Sequence, residues 1–231
     1  MIVASNVSFS YPNGTPVLKE VSFCLEGGKK YALVGANGAG KSTLLSLLCA
    51  LDLPDSGMIT IGGITLGCAT VQEVRSRVGM VFQNPDDQLF MPTVFDDIAF
   101  GLRNRGMAES MVQVKVKAML DRMELTHLKD RPPYRLSGGE KRSVAIATAL
   151  ILEPQTLLMD EPTAFLDPRA RRGFLSLMHS LQTGMLIATH DLDLAREHMD
   201  GVLILKNGSI FAQGGTELFD DAQLMEDALL S

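Results

Sequence analysis

Apolar and polar residues alternate twice near the start of the chain, at Val7, Phe9 and Tyr11 and again at Val21, Phe23 and Leu25. This period of two predicts a pair of half-buried antiparallel strands, with Pro12-Asn13-Gly14 as the turn between them. The pattern then changes. Tyr31-Ala32-Leu33-Val34 is an unbroken apolar run, as expected of a strand buried on both faces of a parallel sheet. After a glycine-rich stretch, Leu44, Leu45, Leu47 and Leu48 suit a helix, and Met58–Ile61 and Val78–Phe82 read as further strands. From about Pro85 to Leu152 the period is helical, with Val112, Val116, Met119 and Met123 at helix spacing. The methionines read as core filling. Thr156–Met159 and Met185–Thr189 predict two more buried strands. Leu203–Ala212, interrupted by Asn207-Gly208, predicts a hairpin, because that dipeptide tolerates the positive φ angles of a type I′ turn. The stretch from Thr216 is short, acidic and expected to be helical.

Strands alternating with helices argue for an α/β core with a parallel sheet, to which the early antiparallel strands and the helical block are additions. The expected organisation is a single domain over 1–231, with an antiparallel β part at 1–30 and 57–80. The core takes 31–56, 81–85 and 154–215, the helical subdomain 86–153, and a tail 216–231. Leu44–Leu53 and Val144–Leu152 are the longest apolar candidates, each about half of the roughly 20 residues a membrane helix needs. No basic n-region followed by an apolar stretch opens the chain, so neither a signal peptide nor a membrane span is expected. A hydrophobic fraction of 46% is ordinary for a globular protein, and a formal charge of -6 argues against nucleic acid as a partner. Cys24, Cys49 and Cys68 lack metal-ligand spacing and are expected to be reduced, mostly buried thiols.

Candidate chemistry begins at Gly35-Ala36-Asn37-Gly38-Ala39-Gly40-Lys41-Ser42, which matches G-x-x-x-x-G-K-[ST] between a predicted strand and helix. Glycines let backbone N–H groups turn toward one centre and cradle phosphate oxygens, and the helix dipole adds to this. Lys41 is expected to reach the β- and γ-phosphates, Ser42 to ligate Mg²⁺ and Thr43 to steady the same region. This is a nucleoside triphosphate site. Leu157-Leu158-Met159-Asp160-Glu161 is an apolar strand ending in two carboxylates, where open α/β sheets bind ligands. Asp160 would hold Mg²⁺, and Glu161 would orient or deprotonate the attacking water. Two adjacent acids also suit a plain solvated strand end. His190, at the end of another predicted strand, is a third candidate, able to hydrogen-bond a γ-phosphate. By itself it would pass as a structural histidine.

Leu136-Ser137-Gly138-Gly139-Glu140 opens a helix, with Ser137 and Glu140 at capping-box spacing and two glycines exposing N–H groups just inside the cap. Here the chain resembles an ATP-binding-cassette (ABC) transporter nucleotide-binding subunit over nearly its whole length. The resemblance rests on Gly35–Thr43, Gln83, Leu136–Glu140, Asp160/Glu161, Asp167 and His190 in the family order. It implies an ABC ATPase cassette using ATP and Mg²⁺. It also implies a head-to-tail dimer, in which Ser137, Gly138, Gly139 and Glu140 of one copy close over ATP held by the other. By the same resemblance Tyr11 stacks on adenine, Gln83 belongs to the nucleotide and metal site, and Asp167 takes part in dimer communication, with Phe165 as a departure in that loop.

The segment Val81–Phe90, followed by Pro92-Thr93-Val94, resembles the ATPases of energy-coupling factor (ECF) importers, most of all the cobalt/nickel branch. Glu140-Lys141-Arg142 points the same way, and Ser143 departs from a second arginine common there. This implies a homodimer, or a heterodimer with a second ATPase, at the cytoplasmic face of the cell membrane. Its partners would be a transmembrane coupling subunit, received at Asp86, Asp87 and Gln88, and a substrate-binding membrane subunit. An ECF vitamin importer, another ABC importer and a non-transport ABC ATPase are the alternatives.

Overall fold

The computed structural model describes residues 1–164 and 166–229. Along the chain run β1 (Ile2–Ser10), β2 (Pro16–Leu25), β3 (Lys30–Val34), α1 (Lys41–Leu48), β4 (Ser56–Ile61), β5 (Ile64–Thr65), α2 (Val71–Arg77) and β6 (Val78–Val81). There follow α3 (Val94–Asn104), α4 (Glu109–Arg122), α5 (Gly138–Leu150), β7 (Thr156–Asp160), α6 (Pro168–Ser180) and β8 (Gly184–Ala188). The last elements are α7 (Leu192–His198), β9 (Gly201–Lys206), β10 (Ser209–Gly214) and α8 (Ala222–Leu229). Contacts gather them into two units: Met1–Val78 with Gln155–Glu161 and Thr183–Ser231, and Gly79–Pro154 with Pro162–Gln182.

The first unit holds an antiparallel sheet in the order β2-β1-β4-β5 and a second sheet whose strands run β10-β9-β3-β8-β7 within the unit. β3, β7, β8 and β9 are mutually parallel, and β10 returns antiparallel. β7 and β8 are buried at every position, which is why they read as continuous apolar runs. The register sets Leu33 and Asp160 each opposite Ala188. The C-terminal ends of β3, β8 and β7 therefore lie side by side at one sheet edge. Leu44, Leu45, Leu47 and Leu48 of α1 are fully buried, each contributing roughly 1.5–3 kcal/mol to holding that helix behind the edge.

The first two strands are less regular than simple alternation predicts. Ile2 and Ala4 face inward, then Val7 and Phe9 do, so the inward parity shifts from even to odd. The shift falls at an irregularity between Ala4 and Val7, with Asn6 at φ 49°. β2 shifts likewise between Leu18 and Val21, with Glu20 at φ 48°. Tyr11 lies past the end of β1 and is exposed. Asn207 and Gly208 both have positive φ, as the type I′ expectation requires. One expectation is corrected: only Cys49 is buried, whereas Cys24 and Cys68 are exposed. Phe23 and Leu25 face the core, so strand alternation turns Cys24 outward.

In the second unit Val112, Val116, Met119 and Met123 are buried, as the core-filling reading expects. Thr93 caps α3 and Ser137 caps α5, the latter in a reciprocal capping box with Glu140. By contacts this unit also takes in Pro162–Gln182, a stretch grouped above with the α/β core. There α6 approaches α5 closely: a Cβ on Gly139 of α5 would lie 2.8 Å from the Ala170 Cβ of α6. Among the described residues no helix is long and apolar enough to cross a membrane.

Candidate active site

β3 ends at Val34, and the next position admits only glycine. Gly35 has φ +156°, and a Cβ there would sit 2.2 Å from the Leu205 carbonyl oxygen. Gly40, the residue before α1, has φ +106° and leaves no room for a Cβ against Leu18. Positive φ is the backbone state from which successive N–H groups form an anion-binding nest at a helix N-terminus. The loop is braced from outside by the β9–β10 turn, where Gly208 N–H donates to the Ala39 carbonyl at 3.1 Å. Lys41 is buried, and its Nζ donates to the carbonyls of Gly35 at 2.7 Å and Ala36 at 3.2 Å. The ammonium thus sits inside the loop, held by its own backbone.

Beside it, Asp160 ends β7. Burial raises the pKa of this carboxyl above the ordinary aspartate range, a hydrogen bond with Ser42 works against that, the neighbouring Glu161 charge adds to it, and Lys41 opposes it. Such a carboxylate gains from any cation brought to it. Glu161 follows with φ 44°, an uncommon backbone state for a residue with a side chain. Its N–H is fixed by the Ala188 carbonyl at 2.8 Å, and the residue is buried. Oε2 of Glu161 lies 2.8 Å from His190 Nδ1, while the imidazole is 71% solvent-exposed. The carboxylate is buried and its partner open to solvent. The Tyr11 hydroxyl lies 3.0 Å from Thr43 Oγ1, so the exposed ring is anchored to the first turn of α1.

Tyr11, Gly35–Thr43, Asp160, Glu161 and His190 thus belong to one unit and meet at one sheet edge. The other predicted residues belong to the second unit. Ser137 N–H and Oγ bond Glu140 Oε2 at 2.7 and 2.8 Å. These bonds from Ser137, backbone first, hold the Glu140 carboxyl below its usual pKa. Asp167 caps α6, accepting from Arg169 and Ala170 N–H at 2.8 and 2.9 Å, and the departure at Phe165 lies outside the described residues. Gln83, Asp86 and Asp87 are exposed, and Lys141 Nζ lies 2.6 Å from Asp86 Oδ1. Gln88 is engaged inside the unit: Phe82 N–H donates to its Oε1, and its Nε2 donates to the Ala145 carbonyl and Thr148 Oγ1.

A family model described as ABC transporter matches residues 18–164. The chain belongs to the ABC transporter family. This ABC chain is 47% identical over 216 residues to a Geobacter sulfurreducens protein named as an ABC transporter ATP-binding protein, covering 93% of the chain and 87% of that relative. It is 40% identical over 236 residues to a Methanospirillum hungatei protein named energy-coupling factor transporter ATP-binding protein EcfA2, covering 100% of the chain and 59% of that relative. A solved structure of cbiO1 from Clostridium perfringens, described as part of the ABC transporter complex cbiONQ, matches with a TM-score of 0.86 and 33% identity. That match covers 98% of this chain and 93% of the other. A dimeric ATP-binding cassette in a post-hydrolysis state with ADP and Pi matches with a TM-score of 0.82 and 27% identity, covering 94% and 99%. The chain is an ABC ATPase, the ATP-binding subunit of an ABC transporter, as its motifs anticipate.

Two features of this ABC ATPase escape sequence reasoning. The Gly208 brace joins residues far apart in the chain, and only the Asn207-Gly208 turn signal hints at it. Arg142 is almost fully buried on α5 and donates to two backbone carbonyls of the Gln83 loop. Its signal was a cation set one turn before the buried Ile146 in a helix of apolar face.

Proposed function

We propose that this ABC ATPase drives an ECF-type importer of a transition-metal ion, cobalt or nickel, from the cytoplasmic face of the membrane. The observation that carries the reading is the segment Val81–Phe90, which keeps Asp86 and Asp87 exposed on the same short turn. The names of two similar proteins, cbiO1 and EcfA2, support it. Asp86 and Asp87 receive a basic segment of the membrane coupling subunit, and Gln88 stiffens the turn that presents them. The cargo is chosen by a substrate-binding membrane subunit.

Two copies work head to tail. Lys41 and the loop amides bind the phosphates of one ATP, Tyr11 stacks on its adenine, and Ser137, Gly138 and Gly139 of the second copy donate to the γ-phosphate from the opposite side. Glu161 orients and deprotonates the attacking water, held in place by His190 Nδ1, and Gln83 senses the nucleotide. Asp167 carries communication across the dimer. Mg²⁺ fits the donors present: Asp160 and Ser42 are hydrogen-bonded neighbours that both offer hard oxygens. Mg²⁺ takes few protein ligands and completes its shell with water and phosphate. When bound, it neutralises charge on the β- and γ-phosphates.

Affinity capture of the tagged chain from detergent-solubilised native membranes tests this. The expected result is a small transmembrane coupling protein together with a substrate-binding membrane protein carrying a transition metal. Charge reversal of Asp86 and Asp87 to Lys is expected to abolish that recovery while sparing ATP binding. Conventional permeases alone would contradict the ECF reading, and a bound vitamin would contradict the metal cargo.

A further inference from the structure

α5 carries a cation in a place that costs stability. Arg142 is 3% exposed, and no carboxylate among the described residues offsets its charge. Burial alone pulls its pKa down, and its Nε has no hydrogen-bond partner. A buried, unpaired guanidinium is unfavourable unless its remaining donors are well used. They are. The two terminal nitrogens donate to the carbonyls of consecutive residues, Phe82 at 2.6 Å and Gln83 at 2.7 Å. β6 ends at Val81, so both carbonyls belong to the backbone where the chain leaves that strand.

The same loop is tied to α5 twice more. Gln88 bridges Phe82 N–H to the Ala145 carbonyl and Thr148 Oγ1, and Lys141 pairs with Asp86. All three ties land on one helix, and that helix begins with the Ser137–Glu140 cap. The Arg142 tie is the one that grips Gln83 itself. The planar fork of a guanidinium fixes two acceptors at once, which a lysine ammonium does not.

We propose that Arg142 is a positioning residue for ATP hydrolysis, locking the backbone of Gln83 to α5, the helix that begins with the Ser137–Glu140 cap, so that the two respond as one piece. The proposal rests on the reading of Gln83 as a nucleotide sensor. Arg142 is buried and acts through the Gln83 backbone it holds.

The test is a double-mutant cycle in the full-length chain, with kcat and KM for ATP measured on the wild type, Arg142→Lys, Gln83→Ala and the double variant. Arg142→Lys is expected to lower kcat about tenfold or more, as a displacement of order 1 Å can, with KM within about twofold. In the Gln83→Ala background the same change is expected to have no further effect on kcat, because the residue it positions is gone. Arg142→Gln is neutral and relieves the buried charge. It keeps the test open should the lysine variant fold poorly, and is expected to show the same non-additivity with an unchanged or raised thermal midpoint. Multiplicative losses in the double variant, or an unchanged kcat in both Arg142 variants, would overturn the proposal. An unchanged kcat in Gln83→Ala alone would overturn the sensor reading and this proposal with it.

Discussion

Replacing Glu161 with Gln is expected to slow ATP hydrolysis by about a hundredfold to ten-thousandfold, the range associated with loss of a general base, while ATP still binds. The two side chains have nearly the same shape, and the Glu161 backbone is fixed independently by its bond to Ala188. An amide oxygen can still face His190 Nδ1, which lies 2.8 Å from the carboxylate in the wild type. What is lost is the ability to take a proton from water. Hydrolysis without that step stalls after ATP is bound, so the variant is expected to accumulate as an ATP-loaded dimer. Single-turnover phosphate release and an ATP-binding titration measure the two halves separately. A release rate within about threefold of wild type would remove Glu161 from the role of base.

Lys41→Ala is expected to act at the earlier step. The Lys41 ammonium is buried in the phosphate loop and bonds two of its carbonyls. Incoming phosphates offer it charged oxygens in their place. Each charge-assisted hydrogen bond is worth roughly 1.5–3 kcal/mol, so losing two weakens ATP binding by about a hundredfold or more. Lys41→Arg is expected to rescue little, because the guanidinium fork is larger than the ammonium that fits this loop. Calorimetric titration of ATP checks the effect. A dissociation constant within about threefold of wild type would mean that the loop binds phosphate through its backbone alone.

The phosphate loop was legible because its chemistry is contiguous: Gly35 to Thr43 are neighbours in sequence, and each needs only its local backbone. Asp160 and Glu161 were legible as a strand end, but their usefulness depends on β7 lying beside β8 in a register that puts Asp160 level with Ala188. Sequence alone does not give strand order. The contact of His190 with Glu161 depends on the same adjacency, which is why His190 gained meaning only from the company of the other motifs. The bulges at Asn6 and Glu20 were not legible, since neither position carries the glycine that usually marks positive φ. Arg142 stayed hidden for a different reason. Polar residues in a helix are read as solvent-facing, and nothing local reports that two strand-end carbonyls wait for a donor. The outward turn of Cys24 was, by contrast, written in the alternation of Phe23 and Leu25, and the expectation of burial overrode that pattern.

The central claim is that the ATP site is completed by a second copy of this chain. The direct measurement is the rate of ATP hydrolysis per chain across a wide range of protein concentration. The account predicts that specific activity rises with concentration and levels off once dimers fill, and that mixing Ser137→Arg chains with Glu161→Gln chains, each inactive alone, restores activity through mixed dimers that keep one intact site. A specific activity that stays constant down to dilute protein would contradict it.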